Sequence, residues 1–300
     1  MIACEEEAWR DERPAIECAS WEREAYCATV LRNAGYRVLA PFVGGARVIG
    51  GATTKDRVAA IIDVETTSLG EDAEIVQLAI SRVRYDPAVD EISAIGAPWV
   101  ALNQPSIPIS AEALAVHGIT EAMVAGHCIM EFDVAAQLEG VRLLVAHNAA
   151  FDAPIFARCF PALPRYAWAC SMVDVPWPYE SKRLGALLMD HTQQHFHAHD
   201  AGQDVAAVAE ILATPFADGS SPFALLLANA RAPRVRVLAE RAPYEVKDAL
   251  KARGYHWNAT SKVWWIDTTD ARAERDWLRG AIYPEYQPML QPLTAMTRFL

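Results

Sequence analysis

The sequence predicts an α/β domain with a mixed central sheet flanked by helices, followed by a small α+β module. Three observations predict it. "VAAIIDVET" (58–66) is a nearly unbroken apolar run of strand length, as expected for a strand buried on both faces. Two more strand-like stretches follow it, and strands then alternate with helical segments. After a polar linker the strand–helix alternation resumes on a shorter scale.

In chain order, the first fifty residues (1–50) read as a small helix–strand module. "WEREAYCATVLRNAG" has helical spacing and stops at a glycine, and "YRVLAPFV" reads as a strand. "GGARVIGGATTKD" is a Gly- and Thr-rich connector. A second domain spans 58–214. Within it, "EIVQLAISRVRY" and "EISAIGAPWVAL" alternate as two strands around the turn "DPAVDE". Short helical pieces lie between about 110 and 140. "VRLLVAH" is another buried strand, and "AAFDAPIFARCF" starts a helix. "YAWACSMVDV" reads as a short strand, and "SKRLGALLMDH" and "DAGQDVAAVAEILA" read as helices. "TPFADGSSPF" is a linker by composition. The C-terminal module (233–300) then offers strand "RVRVLAE", helix "PYEVKDALKARG", strand "KVWWIDT" and helix "DARAERDWLRGAIY".

Composition narrows the class. At 52% hydrophobic and 22% charged residues, 300 residues can bury a substantial core. No apolar run approaches the roughly 18–20 residues that span a bilayer, so no membrane partner is expected. The acidic start, "MIACEEEAWRDERPA", is unlike a signal peptide, and a cytoplasmic protein is expected. Cys4, Cys18, Cys27, Cys128, Cys159 and Cys170 form no CxxC pair, which favours free thiols over a zinc or disulfide framework. The net charge of −11 argues against simple electrostatic capture of nucleic acid. Residues 231–280 nevertheless carry eleven bases against seven acids, the better platform for a polyanion.

Carboxylates stand where a core would not want them. Asp63 and Glu65, at i and i+2 in an apolar strand, point to the same face. Two like charges there are costly unless a cation or a shared proton compensates them. Asp152 follows the strand that ends at His147, near the start of the next helix. His199 and Asp204 lie five apart at the entry to an amphipathic helix. His195, His197 and His199 alternate just before it, a pattern that suits a metal site, strand packing or catalysis alike.

Taken together, an Asp-x-Glu strand, an Asp after a strand end and a His-x4-Asp helix entry resemble the DEDDh group of 3′–5′ exonucleases. These have an RNase H-like fold. "PIPISAEALAVHGITEAMV" is similar to that group's segment before its second acidic motif. The resemblance covers about 58–214. It is nearest to bacterial proteins similar to the proofreading epsilon subunit of the replicative polymerase. A subset of these resembles the chain also at Trp168–Ser171, "ALKARGYHW", "VWWID" and the final "LTAMTRF".

The resemblance implies hydrolysis of DNA from a 3′ end, preferentially single-stranded, to nucleoside 5′-monophosphates in proofreading or repair. It implies two divalent ions, Mg²⁺ or Mn²⁺, for which hard oxygen ligands are suited. Asp63 would bridge both ions, Glu65 and Asp204 would complete the site of the attacking water, and Asp152 would support the second ion. His199 would be the general base, a task that suits an imidazole titrating near neutrality. His195 and His197 are then surface or packing residues. Thr66, Leu69, His117 and Phe151 match positions that line the terminal-nucleotide pocket. Ser68 stands where many relatives carry glycine, and Gln203 where they often carry an acid. An exoribonuclease would use the same five residues, and a non-catalytic polymerase-associated adaptor could keep the fold; a DNA polymerase is a possible partner. Tyr255, Trp257, Trp264 and Trp265 lie among Lys251, Arg253 and Lys262, either as a module core or as a nucleic-acid surface. Trp264 and Trp265, adjacent in a strand, must face opposite ways. The tail "QPMLQPLTAMTRFL" is a poor match to a clamp-binding peptide and is expected to pack on its own protein.

Overall fold

Residues 20–51, 53, 55–196 and 199–300 are described by a computed structural model, with side chains from residue 25 onward. The chain divides into two units between Ala40 and Pro41, earlier than the expected module boundary at 50. The first contains the expected helix, α1 (Ser20–Asn33). "YRVLAPFV" is strand only at β1 (Ala40–Pro41). The connector beyond it supplies β2 (Arg47–Val48), which joins the edge of the main sheet and so belongs with the second unit.

The second unit is organised around β3 (Arg57–Thr66), the apolar strand that the sequence marks most clearly. β4 (Ile75–Asp86) pairs antiparallel along its whole length. The stretch "EISAIGAPWVAL" is not one strand but two, β5 (Glu91–Ile95) and β6 (Trp99–Leu102), both on β4. Gly96 and Pro98 cause the break. Pro98 has no N–H for a ladder, and a Cβ at Gly96 would lie 3.0 Å from the Arg82 carbonyl oxygen. α2 (Ala111–His117), α3 (Glu121–Val124) and α4 (Glu131–Gln137) follow. β7 (Val141–Ala146) then pairs parallel to β3, α5 (Ala149–Cys159) follows, and β8 (Ala167–Cys170) pairs parallel to β7. The predicted strand "YAWACSMVDV" ends at Cys170, where α6 (Ser171–Asp174) begins. The sheet order is β2-β5-β4-β3-β7-β8 with β6 also on β4, a mixed sheet.

Helices cover both faces. α7 (Leu184–Thr192), the short β9 (Gln194–His195) and α8 (Ala201–Ala213) lead to α9 (Pro222–Arg231). Ala59 and Ile61 of β3 pack with Val205, Val208 and Leu212 of α8 and with Phe223 and Leu226 of α9. Ala60, Ile62 and Val64 face the other way, against Ala149, Ala153 and Phe156 of α5. This division follows from the period of two in a strand buried on both sides. α9 departs from the sequence reading, because the linker "TPFADGSSPF" ends inside it. Ser221 caps it by accepting from Ala224 N at 3.1 Å, and Pro222 fits its first turn.

The C-terminal module has one four-stranded sheet in the order β11-β12-β10-β13. Its strands are β10 (Arg234–Ala239), β11 (His256–Asn258), β12 (Val263–Thr268) and β13 (Met289–Leu293). α10 (Lys247–Arg253) and α11 (Ala271–Ala281) supply the helices, and a core of Val237, Leu250, Tyr255 and Leu278 forms with Trp264 half-buried against it. The expected boundary at 233 does not separate this module, because it lies in the same unit as the main sheet. The tail shows why. Trp168 N, on β8, donates to the Ala295 carbonyl at 2.7 Å. Arg298 reaches Asp174, a fully buried carboxylate that also accepts from Cys170 N at 2.8 Å and lies 3.6 Å from Arg234.

Breaking such a pair typically costs about 3–5 kcal/mol, and Arg234, still 3.6 Å from Asp174, keeps the loss toward the lower end of that range. Arg298→Ala is therefore expected to lower unfolding stability by about that amount, measured by chemical denaturation. An Asp174→Asn/Arg298→Met double variant is expected to recover part of the loss.

Candidate active site

The site lies where β3 outruns its parallel neighbour. β7 pairs with β3 only as far as Ile61 and Val145, so the last residues of β3 have a free edge on that side. Val64 N instead donates to Asp152 Oδ1 at 3.3 Å, and this places the first-turn acid of α5 beside the strand. On the opposite face, Asp63 and Glu65 continue the Ala59–Ile61 row. α8 packs on that row and brings Asp204 from its first turn. The start of α8 also passes close to β6: a Cβ at Gly202 would lie 2.8 Å from Val100 Cγ2. The Gln77 side chain also accepts from Ala201 N at 3.0 Å, which ties the helix start to β4.

Asp63, Glu65 and Asp204 thereby converge, each offering a carboxylate oxygen within 4.8 Å of the others. Asp152 stands outside that group of three, but its charge is felt by both Asp63 and Glu65. Burial and mutual repulsion hold the whole set toward the protonated form. Desolvation, then Asp152, Asp204 and Glu65, push Asp63 well above the usual range. Desolvation first, then Asp204 and Asp152, push Glu65 up to about 8. Desolvation raises Asp152 to about 7 against hydrogen bonds that oppose it, and raises Asp204 to about 7 likewise. Crowded carboxylates of this kind are stable as anions only beside a cation. The donors are all hard oxygens, which fits Mg²⁺, Mn²⁺ or Ca²⁺ and not a soft metal.

His199 is exposed and sits on a left-handed backbone, φ 74°. Its N–H donates to Asp204 Oδ2 at 2.9 Å, so the two residues are locked together at the helix entry. Of its neighbours, His195 is exposed at the end of β9, and His197 lies outside the described residues. The one metal-competent group among the described residues is carboxylate only.

The other expected pocket residues surround the end of β3. Thr66 is buried and donates its hydroxyl to the Ser68 carbonyl at 2.7 Å, closing the turn that follows the strand. Its hydroxyl proton is thereby used, and the oxygen keeps only its acceptor capacity. Leu69 extends from that turn, 88% exposed. His117 Nδ1 accepts from Ile119 N at 2.9 Å, which leaves the proton on Nε2, 3.2 Å from the Thr66 carbonyl. Burial lowers the His117 pKa, as does its neighbour His199, so this ring stays neutral. Phe151 is half-buried in the first turn of α5. Asp200 was absent from the sequence expectations. It caps α8, accepting from Gly202 N (2.9 Å) and Gln203 N (3.1 Å), and adds negative field at Asp63, Glu65 and Asp204. Its signal was a polar residue just before a predicted helix.

Comparisons with known proteins point to exonucleases. A family model described as Exonuclease, RNase_T, matches residues 60–212. Exodeoxyribonuclease 10 of Escherichia coli (strain K12) is 35% identical over 164 residues, 51% of this chain and 66% of that protein. The chain thus spans just under two thirds of that relative. A DNA polymerase III subunit epsilon-like protein of Rhodobacter capsulatus is 40% identical over 109 residues, 33% of this chain and 14% of that one. Among solved structures, Exonuclease X in complex with 5′ overhanging duplex DNA is 29% identical with a TM-score of 0.37, covering 55% of this chain and 99% of that one. No helix among the described residues is long and apolar enough to cross a membrane.

Each of these carboxyls holds its proton more tightly folded than unfolded, so the metal-free fold is favoured at low pH. It loses stability as pH rises from the ordinary values, 3.8 for Asp and 4.5 for Glu, through about 7 and 8. The Tm of metal-free protein is expected to fall between pH 5 and pH 8. Added Mn²⁺ is expected to raise Tm at pH 8 more than at pH 5, by scanning calorimetry.

Proposed function

The chain belongs to the RNase_T exonuclease family, whose model matches residues 60–212 on this RNase H-like sheet, and from that premise we propose a metal-dependent 3′–5′ exonuclease acting on DNA. The observation that carries the reading is the convergence of Asp63, Glu65 and Asp204, with Asp152 beside them, at the end of β3. A deoxyribose substrate is supported by the relative named as an exodeoxyribonuclease. The 3′ direction and the single-stranded preference rest on the DEDDh pattern of the five residues. A proofreading or repair setting, with a DNA polymerase as partner, is supported by the epsilon-like relative.

Two divalent ions, Mg²⁺ or Mn²⁺, held by Asp63, Glu65, Asp152 and Asp204 would neutralise the scissile phosphate and the leaving 3′-oxygen. His199 accepts the proton of the attacking water. Its exposure leaves the ring able to return that proton to solvent, and the bond from its N–H to Asp204 keeps it at the carboxylate cluster. Leu69 and Phe151 offer apolar surface to the terminal base, and His117 acts as a neutral support for the Thr66 turn.

Digestion of a 5′-labelled single-stranded DNA oligomer with Mn²⁺ tests the reading. The wild-type chain is expected to give a ladder shortening from the 3′ end, and Asp63→Ala none. His199→Ala is expected to cost about 10²–10⁴-fold in kcat with little change in KM. Cleavage of a matched RNA oligomer alone would move the substrate class to RNA.

A further inference from the structure

We infer that the open face of the C-terminal sheet is a second binding site, for a single-stranded stretch of DNA. This rests on the reading of the chain as a DNA exonuclease. In an antiparallel sheet, directly opposed residues share a face. Val237, opposite Ile266, and Ala239, opposite Trp264, lie on the face that packs with Leu250 and Leu278 of the two helices. Arg236 opposite Asp267, Leu238 opposite Trp265, and His256 opposite Trp265 therefore lie on the other face. That face opens as a concavity of about 590 Å³.

Its floor is fixed. The Trp265 ring has His256 beside it at 4.9 Å between centroids, from one neighbouring strand. From the other, the Arg236 guanidinium carbon lies 4.2 Å from the ring centroid. Asp267 holds that guanidinium through Nε (2.8 Å) and Nη2 (2.9 Å), so its charge is already paired. The rim differs. Arg241 and Lys262 line the same concavity and make no ion pair or side-chain hydrogen bond among the described residues. Both stand on left-handed backbone, at φ 55° and φ 53°. Non-glycine residues adopt that conformation seldom, and such positions concentrate at binding sites. The hairpin loop that carries Lys262 is shaped by Asn258 Oδ1, which accepts from Thr260 N (3.0 Å) and Ser261 N (2.9 Å).

Two unpaired cations, against the single acid Glu240 on the same lining, stand over a floor of Trp265 and Leu238 and are complementary to phosphates joined to apolar rings. A chain with net charge −11 otherwise repels such a ligand, so the local reversal of sign is what selects it. A duplex turns its base faces inward. A single strand can lay bases on the floor and phosphates on the rim.

The test uses the full chain and a fluorescein-labelled oligothymidylate of about 20 nucleotides, read by anisotropy in EDTA so that no hydrolysis intervenes. The Arg241→Glu/Lys262→Glu variant is expected to weaken binding about tenfold, and to lower the slope of log K against log salt by about 1.4, two contacts at about 0.7 each. A charge-matched control, Lys251→Glu/Arg272→Glu on the helices, is expected to stay within about twofold of wild type. Equal weakening by both variants, or none by the first, overturns the proposal. Hydrolysis of the p-nitrophenyl ester of thymidine 5′-monophosphate with Mn²⁺, which engages the active site alone, is expected to be equal in all three proteins. A wild-type chain inert toward ester and DNA overturns the exonuclease reading instead, and the anisotropy comparison still decides the sheet-face site.

Discussion

Repulsion among four carboxylates at the end of one buried strand is the constraint on which the rest of the structure depends. Asp63 and Glu65 share a strand face because their spacing is two. They are kept in place by a strand whose preceding residues, Ala59 to Ile62, are fully enclosed. α8 must pack on that face of the sheet to deliver Asp204, and the glycine at 202 lets the start of the helix pass close to Val100 of β6. α5 must deliver Asp152 from the other side, and it does so by satisfying the Val64 N–H that β7 leaves unpaired. The protein thus spends packing energy to hold like charges together, a local conflict that marks a site built for cations.

The same logic of enclosed charge closes the molecule at its far end. Asp174 terminates α6 without exposure, and its partners Arg298 and Arg234 come from the C-terminal module. The tail also covers the edge of the main sheet through the bond from Trp168 to Ala295. An uncovered edge strand is a template for association with other chains, so the tail has a protective as well as a joining role. The module thereby becomes part of the unit that carries the active site, with its helices on one face and a cationic, aromatic surface on the other.

Much of this was legible in the sequence, for reasons that are local. β3 announces itself through an apolar run, α8 through its cap and amphipathic spacing, and the acid cluster through charges that interrupt apolar strands. The adjacent Trp264 and Trp265 had to diverge, and the first turns to the helices while the second lines the open face. What could not be read depends on longer range or on composition that misleads. The split of "EISAIGAPWVAL" turns on how Gly96 approaches the Arg82 carbonyl. α9 hides behind Ser and Pro residues that read as linker but serve as its cap and first turn. The Arg298–Asp174 pair spans 124 residues, and no pattern in either segment points to the other. The hydroxyl proton of Thr66 is used by its own turn, a bond set by the backbone path after the strand and not by residue type.

The central claim is that the protonated, crowded carboxylates await divalent cations, and proton release on metal binding tests it most directly. Mn²⁺ titrated into metal-free protein near pH 7, by calorimetry in buffers of different ionisation enthalpy, is expected to bind and release protons. The reason is that Glu65, Asp152 and Asp204 titrate at about 7 to 8 without it. Asp63→Asn is expected to abolish most of that binding. Binding without proton release, or binding indifferent to Asp63→Asn, would contradict the account.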